Sequence, residues 1–535
     1  MLYLQSIIFF CLLLYSNCLN ILVYAPAFAA SHSKFLGKLA DTLTERGHNV
    51  TYLMPVVNIA KRDECKGVKI TKDVVIVEAG EKMLSQKQAD TPNDEILDVW
   101  WTVQMDSSNS REIFQFFCSD MKIACENFLS RRDIFEDMKA RNFDLAILEP
   151  VSACGLGFVK ALGIEKTILA SSSVFYDVIL PYIGEPLDYS YVPSGYSVTG
   201  QELSLGEKFE NWMVSREISI ALEGLFDGEM EIYRRLLGHN LTNWRHLFPS
   251  ASIFFVNSNP FFDFPRPVLE KTVPIGGISV NMGVRKEDML TEEWEKVLNQ
   301  RPHTMLVSFG TLVMSTHMPK KWRSGLLEAF KSFPNVTFIW KYESDDHSFA
   351  NGIDNIYFSK WVPQNELLND NRLTAFLSHG GLGSIMELAF SGKPALIIPV
   401  FADQTRNANT LARHRGAICL HKSQMKNTEV LKKAFKSVLF DASFKNNSLK
   451  LAATLRNQPN KPKDTLIKYT EFVGEFGPFP QMDPYGRHLN VFQKSFIDIY
   501  TLIIVVSSIF VALIFNVIAK LIQYFIKSKS SEKND

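Results

Sequence analysis

Cysteine is scarce in this chain, with seven among 535 residues and no C-x-x-C pair. That leaves neither a disulfide scaffold nor a structural zinc or thioredoxin-like motif. Charge of one sign is also lacking: Lys+Arg and Asp+Glu number 57 each, and the sequence pI is near 7.2. No basic field is available for a phosphate backbone, so nucleic-acid binding has no electrostatic footprint. Any anion has to be met by a local site. The Gly-Lys-Ser/Thr of a P-loop is missing, as is Asp-x-Asp, the pairing that holds Mg²⁺ against a diphosphate. No charged side chain precedes Lys34.

What is present is an ordinary folded composition, 46% apolar and 21% charged. The length exceeds what one core supports, since single cores stop growing near about 250 to 300 residues, so two domains are expected. Leu2 to Tyr15 form an uncharged, mostly apolar run followed by Ser16, Asn17 and Cys18, the pattern of a cleaved signal over 1–18, although a basic n-region is missing. Ile499 to Ala519 contains no charged residue, enough for a helix to cross a hydrocarbon core of about 30 Å. Asp498 precedes that span and Lys520, Lys527, Lys529 and Lys533 follow it. The positive-inside bias therefore places the tail 520–535 in the cytosol and the rest in the lumen. Sequons at Asn49, Asn240, Asn335 and Asn446 agree with secretory entry. Asn49 and Asn335 fall in expected buried strands, and Asn240 and Asn446 look accessible. Five cysteines remain after signal removal, an odd count, so at least one stays free or pairs between molecules.

From Ile21 the chain reads as strand Ile21 to Tyr24, then a helix with Phe35, Leu36, Leu39, Ala40 and Leu43 at helical spacing, stopped by Gly47. Strands follow at Val50 to Met54, Leu145 to Leu148 and Ile168 to Ala170. Ser171 to Thr199, with three prolines and five tyrosines, reads as loop-rich. The stretch around Pro265, Pro267, Pro274, Gly276 and Gly277 reads as a linker. A second βα series has strands near Met305 to Phe309, Val336 to Trp340, Ala375 to Ser378 and Ala395 to Pro399. The expectation is α/β: two doubly wound, Rossmann-like domains, 19–273 and 274–490, facing a cleft beyond the strand ends, with one transmembrane helix over 499–519.

The most informative stretch is Trp361-Val-Pro-Gln364, then Ser378-His379-Gly-Gly381-Leu-Gly383-Ser384, Glu387 and Asp403-Gln404. A strand ends at Ser378, glycines let the backbone approach a ligand, and a helix begins near Ser384, where unpaired N–H groups suit a diphosphate. His379 can donate to a phosphate, Trp361 offers a flat face to a base, and Glu387 can accept from ribose hydroxyls.

Over these 44 residues the pattern W-x-x-Q…H-G-G…E…D-Q resembles the UDP-glycosyltransferase family, specifically the animal UDP-glucuronosyltransferases, of invertebrate type. The resemblance implies a GT-B fold. It also implies that Trp361 stacks on uracil, Gln364 and Glu387 hold the ribose, His379 and Ser384 hold the diphosphate, and Asp403 and Gln404 contact sugar hydroxyls. The turn Ser308-Phe-Gly-Thr311 is similar to the family's other phosphate contact. One departure is Gly383-Ser384, where vertebrate members commonly have Asn-Gly.

His32, placed between Ser31 and the first helix at the end of the first strand, sits where the family keeps its catalytic base. The family's partner aspartate, in F-D-x-x-x-x-D, is replaced by Glu149 in Phe143-Asp144-Leu-Ala-Ile-Leu-Glu149. Glu149 keeps the charge that holds and stabilises an imidazolium, whereas Asp144 belongs to the strand start. The implied chemistry is metal-free, cofactor-free, inverting transfer of a hexose from UDP-glucuronic acid or UDP-glucose to a hydroxyl of a small lipophilic acceptor. The aromatic segment Ser171 to Thr199 is expected to line an apolar acceptor pocket. The resemblance further implies a single-pass type I glycoprotein of the endoplasmic reticulum with a lumenal catalytic body, a role in detoxification, and homo- or hetero-oligomers. The alternative is a catalytically inactive UDP-sugar-binding membrane subunit, supported by the Glu149 departure. A nicotinamide dehydrogenase needs G-x-G-x-x-G after the first strand, where this chain has Ala25-Pro-Ala-Phe-Ala-Ala-Ser31.

Overall fold

The computed structural model describes residues 18–89, 94–238, 243–280 and 290–531. All but the last residue of the expected signal segment, the sequon at Asn240 and the tail residue Lys533 lie outside them. The described chain forms two compact units, one reaching Met482 and one beginning at Asp483.

The first unit holds two all-parallel sheets. In the first, β1 (Asn20–Tyr24), β2 (Asn49–Pro55), β3 (Asp73–Val77), β4 (Leu145–Leu148), β5 (Thr167–Ser171), β6 (Ile253–Val256) and β7 (Thr272–Pro274) are ordered β3-β2-β1-β4-β5-β6-β7. In the second, β8 (His303–Ser308), β9 (Val336–Lys341), β10 (Ile356–Ser359), β11 (Leu373–Ser378), β12 (Ala395–Ile397) and β13 (Ala417–Cys419) are ordered β10-β9-β8-β11-β12-β13. The two sheets thus share one winding, and each reverses direction beside its first strand: between β1 and β4, and between β8 and β11. Runs such as Leu-Ala-Ile-Leu in β4 and Ala-Leu-Ile in β12 are buried throughout, as strands covered on both faces require.

Two details differ from the expected organisation. The Pro-rich stretch taken as a linker contains β7, which pairs in parallel with β6 from Phe254↔Thr272 to Val256↔Pro274. Its prolines flank or end this edge strand, where a missing N–H costs no ladder bond. Asn49 and Asn335 are exposed, because Asn49 only opens β2 and Asn335 precedes β9. Asn446 is exposed as well.

The helix Ala30–Arg46 ends where Gly47 adopts a φ of 102° and its N–H returns to the last turn, a conformation that favours glycine. A 33-residue helix, Leu205–Leu237, opens with a capping box between Ser204 and Glu207 and packs along Ser110–Ser130. The helix Pro462–Phe476 returns to the first sheet, where Leu466 and Val473 join the core of Ile21, Val23 and Leu36. Among the described residues one disulfide joins Cys125 to Cys154. Cys18, Cys65, Cys118 and Cys419 are free.

Side chains also tie the two halves together. Trp101, which precedes β4 in sequence, is buried in the core of the second sheet and donates Nε1–H to Met314 O at 3.0 Å. Trp100 stacks on Phe401 with centroids 4.7 Å apart. Lys422 Nζ donates to Trp100 O, Val103 O and Val400 O at 2.8, 2.6 and 2.7 Å. Arg406, fully buried, places Nη2 2.9 Å from Asp263 Oδ1.

In the second unit, Arg487 pairs with Asp483 at 2.8 Å, and the helix Ile497–Ser531 follows. Its segment Ile497–Ser528 is long and apolar enough to cross a membrane.

Candidate active site

Neighbouring strands β4, β5 and β6 of the first sheet deliver Glu149, Ser172 and Asn257 directly past their carboxyl ends, and the helix after adjacent β1 carries His32. The helix carrying His32 begins at Ala30, so His32 occupies its first turn rather than preceding it. The helix starts early on Ala30, a good helix former, with Ala29 as an extended N-cap that makes no side-chain cap. His32 Nδ1 lies 2.8 Å from Glu149 Oε1 and 2.6 Å from Ser172 Oγ.

Glu149 Oε1 also accepts from the Ser172 hydroxyl, from Ser172 N–H at 3.2 Å and from Tyr176 O–H at 3.1 Å. Among the described residues its Oε2 has no hydrogen-bond partner and is buried. Burial acts to raise the Glu149 carboxyl, yet the charge of His32 and the bonds from His32 and Ser172 outweigh it and hold the group below the usual carboxylate range. Asp144, by contrast, accepts from Asn20 N–H at 2.7 Å at the other end of the strand.

The second sheet supplies the facing wall from β8, β9, β11 and β12, also neighbours. After β8, Ser308 Oγ accepts Gly310 N–H at 3.3 Å, Gly310 has a φ of 87°, and Thr311 follows half-buried. After β11, the His379 ring lies between two glycines: a Cβ at Gly310 or Gly381 would come within 2.7 or 2.6 Å of it. His379 Nδ1 is buried without a partner among the described residues. Burial, then the charge of Lys341, pushes His379 down to about 4. It is therefore a neutral ring at pH 7, fit to donate one N–H to a phosphate but not to act as a cation.

The helix here spans Leu382–Ser391 with Gly381 as its N-cap, two residues earlier than expected, so Gly383 and Ser384 lie inside its first turn. Gln364 Nε2 donates to Ser384 Oγ at 3.0 Å and to Glu387 Oε2. Burial pushes Glu387 up to about 7. Trp361 is 63% exposed, and Lys34 Nζ lies 5.7 Å from its ring centroid. Asp403 Oδ2 accepts from Asn407 Nδ2 at 2.9 Å, and burial raises its carboxyl while the charge of His32 acts the other way. Gln404 spends its carbonyl on Val400 and Phe401 N–H at 2.8 and 3.1 Å, which leaves its amide N–H₂ for a ligand.

Lys34, two residues after His32, stands over Trp361 and brings the carboxyl ends of both sheets to a common cleft, the place where open α/β sheets bind ligands. Sequence reasoning missed Lys34, Lys341, Ser172, Tyr176 and Asn257. Lys341 ends β9 and donates to Gly310 O at 2.9 Å, and its only sequence signal is a lysine closing an apolar strand. The tyrosines of the Ser171 to Thr199 segment differ from expectation, because three of the five hydroxyls bond inward: Tyr176 to Glu149, Tyr182 to Glu223 and Tyr189 to Ser215. Aromatic cover near His32 comes mainly from Phe28, 4.3 Å from its ring, and from Phe117, 5.3 Å from Phe28. Tyr196 packs on Phe114 at 4.9 Å.

The sequence pattern described as "UDP-glucoronosyl and UDP-glucosyl transferase" matches residues 20–532. The chain is 28% identical over 502 residues to ugt-47 of Caenorhabditis briggsae, covering 92% of this chain and 90% of that one. It is 26% identical over 481 residues to human UDP-glucuronosyltransferase 1A8, covering 88% and 86%. A UDP-glucosyltransferase from Polygonum tinctorium shares the fold with a TM-score of 0.56 at 14% identity, over 86% of this chain and 99% of that one.

Proposed function

Because the chain belongs to the UDP-glucoronosyl and UDP-glucosyl transferase family, we propose that it moves glucuronic acid or glucose from a UDP-sugar to a hydroxyl of a small lipophilic acceptor, with inversion. The observation that carries this reading is the His32–Glu149 pair at the switch point of one sheet, with His32 on the helix whose Lys34 stands over Trp361 of the other. Glu149 binds His32 through Nδ1, which leaves Nε2 as the base. Nε2 takes the acceptor's hydroxyl proton as its oxygen bonds to the anomeric carbon, and the bond to UDP breaks with its electron pair leaving on the nucleotide. The growing charge meets the N-terminus of Leu382–Ser391, the Ser384 hydroxyl and one N–H of His379. Trp361 takes the base, Gln364 and Glu387 the ribose, and Asp403 with Gln404 the sugar hydroxyls.

The sequence carries no Asp-x-Asp pair for Mg²⁺, and the reading needs neither metal nor cofactor. Phe28 and Phe117 beside the base favour an apolar alcohol or phenol. The apolar helix Ile497–Ser528 anchors the chain, the lysines after it favour a cytosolic tail, and the Cys125–Cys154 bond fits an oxidising lumen. These features support a type I protein of the endoplasmic reticulum, glycosylated and acting in detoxification. The test is a screen of UDP-glucuronic acid, UDP-glucose and UDP-N-acetylglucosamine against a panel of phenols. Formation of a β-glycoside from one of the first two supports the reading, and no transfer from any donor by folded, UDP-binding protein overturns it.

A further inference from the structure

A glutamate carries its carboxylate on a flexible stem, and something has to choose which oxygen faces His32. In this chain the choice is made on one side only. Glu149 Oε1 receives the Ser172 hydroxyl, Ser172 N–H at 3.2 Å and Tyr176 O–H at 3.1 Å, as well as His32 at 2.8 Å, while Oε2 is buried and receives nothing among the described residues. Ser172 is the group that touches both members of the pair, with Oγ 2.6 Å from His32 Nδ1. An ionised carboxylate only accepts, so the Ser172 hydroxyl proton points to Glu149 and an oxygen lone pair is left facing Nδ1–H of His32. The ring proton is then shared between two oxygens, which fixes it on Nδ1 and leaves Nε2 free.

Ser172 is itself held in place. Asn257, just past β6, donates Nδ2–H to Ser172 O at 2.9 Å and N–H to Ser171 O at 3.1 Å. Ser171 Oγ donates to Ser173 O at 2.8 Å. The backbone that presents the hydroxyl is therefore stapled between β5 and β6.

We infer that Ser172 is a positioning residue for the base, holding the longer glutamate side chain in register with His32 and fixing the ring's tautomer. This rests on the proposed role of the His32–Glu149 pair.

The test uses full-length protein in detergent or nanodiscs. In Ser172→Ala, turnover should fall about tenfold, the worth of one hydrogen bond to a charged group, with UDP affinity and acceptor KM within about twofold. The acid limb of kcat/KM should move, because Ser172 Oγ both shares the charge of Glu149 and accepts from the ring, so its loss changes the field at His32 Nδ1. A role in packing alone would not move that limb. In a Glu149→Asp background the carboxylate withdraws by about one C–C bond, roughly 1.5 Å, which weakens its contacts to Ser172 and His32 alike and leaves Ser172 little carboxylate to position. There Ser172→Ala should cost less than about threefold. Near wild-type turnover in Ser172→Ala, an unmoved acid limb, or an equal loss in both backgrounds overturns the inference. If Glu149→Gln keeps full turnover, the pair itself is wrong, and that result is distinct from a failure confined to Ser172.

Discussion

Glu149 Oε1 lies 2.8 Å from His32 Nδ1, the glutamate directly after β4 and the histidine in the first turn of the helix that follows β1, the strand that pairs with β4. The glutamate is wholly buried while His32 keeps 21% of its side chain exposed, so the charge is sheltered and the ring can meet an acceptor. Glu149→Gln preserves size and an acceptor oxygen but removes that charge. Turnover should fall by about 10²-fold or more with little change in acceptor KM, and Glu149→Asp should keep part of the activity. Steady-state kinetics with the donor that the screen selects decides it: a Gln variant with wild-type turnover would leave His32 without this partner.

His32→Ala should abolish transfer and leave UDP binding intact. The base stands on the first sheet, whereas Trp361, Gln364, Ser384 and Glu387 all stand on the second. Calorimetry of UDP against the variant checks this division. Lost UDP affinity in a folded variant would mean that the helix Ala30–Arg46, which also carries Lys34 over Trp361, contributes to the nucleotide site.

Most strands with both faces buried were legible, because Leu145–Leu148 reads as an uninterrupted apolar run and Val336–Lys341 as one broken only by Thr337 before its closing lysine. β3, β6, β7, β10 and β13 were not: β3, β7, β10 and β13 are the edge strands of the two sheets, with Thr272–Pro274 hidden among prolines, and β6, though buried throughout, is only four residues long. In the candidate site, motif spacing picked out the residues that touch one another, such as Gln364, Ser384 and Glu387. It could not pick out Ser172 or Lys341, since a serine or lysine at a strand end carries no signal until the neighbouring strand is known. Helix starts were misjudged by about two residues at His32 and Ser384. Both helices begin on residues whose side chains make no cap, so no Ser, Thr, Asp or Asn marked the boundary.

Topology offers a separate check. Protease added to intact microsomes should remove only the residues beyond Lys520 and leave the glycosyltransferase body protected until detergent is added. The lysines following the apolar span predict this orientation, and digestion of the body in sealed vesicles would reverse it.

Glu229 should make stability depend on pH. Fully buried, it accepts from Ser152 Oγ, Ala153 N–H and Cys154 N–H at 2.7, 2.7 and 3.2 Å and so caps the helix Cys154–Ala161. Burial outweighs these bonds and raises its carboxyl from the ordinary 4.5 to about 8. Between those values the folded protein holds a proton that the unfolded chain has released, so stability falls as pH rises. Glu229→Gln keeps acceptor and donor in place without a charge to bury. Its apparent melting temperature should decline less from pH 5 to pH 8 than that of the unaltered protein, and an identical slope in both would remove Glu229 as the cause.

The two glycines flanking Leu382 separate packing from ligand approach. A methyl at Gly381 would sit 2.6 Å from His379 Nε2, whereas one at Gly383 would meet no protein atom within 4 Å. Gly381→Ala should therefore shift the His379 ring, lower UDP affinity about tenfold through the lost phosphate donor, and reduce thermal stability as well. Gly383→Ala should leave stability unchanged or slightly raised, since alanine favours a helical first turn over glycine. If a diphosphate comes down onto this helix start, as backbone N–H recognition requires, Gly383→Ala should still weaken UDP binding, by steric contact with the ligand alone. Calorimetry paired with thermal melting separates the two effects. Unchanged UDP affinity in Gly383→Ala would show that the diphosphate does not approach the backbone at that position, and the phosphate contacts would then rest on Ser384, His379 and the Ser308 to Thr311 turn.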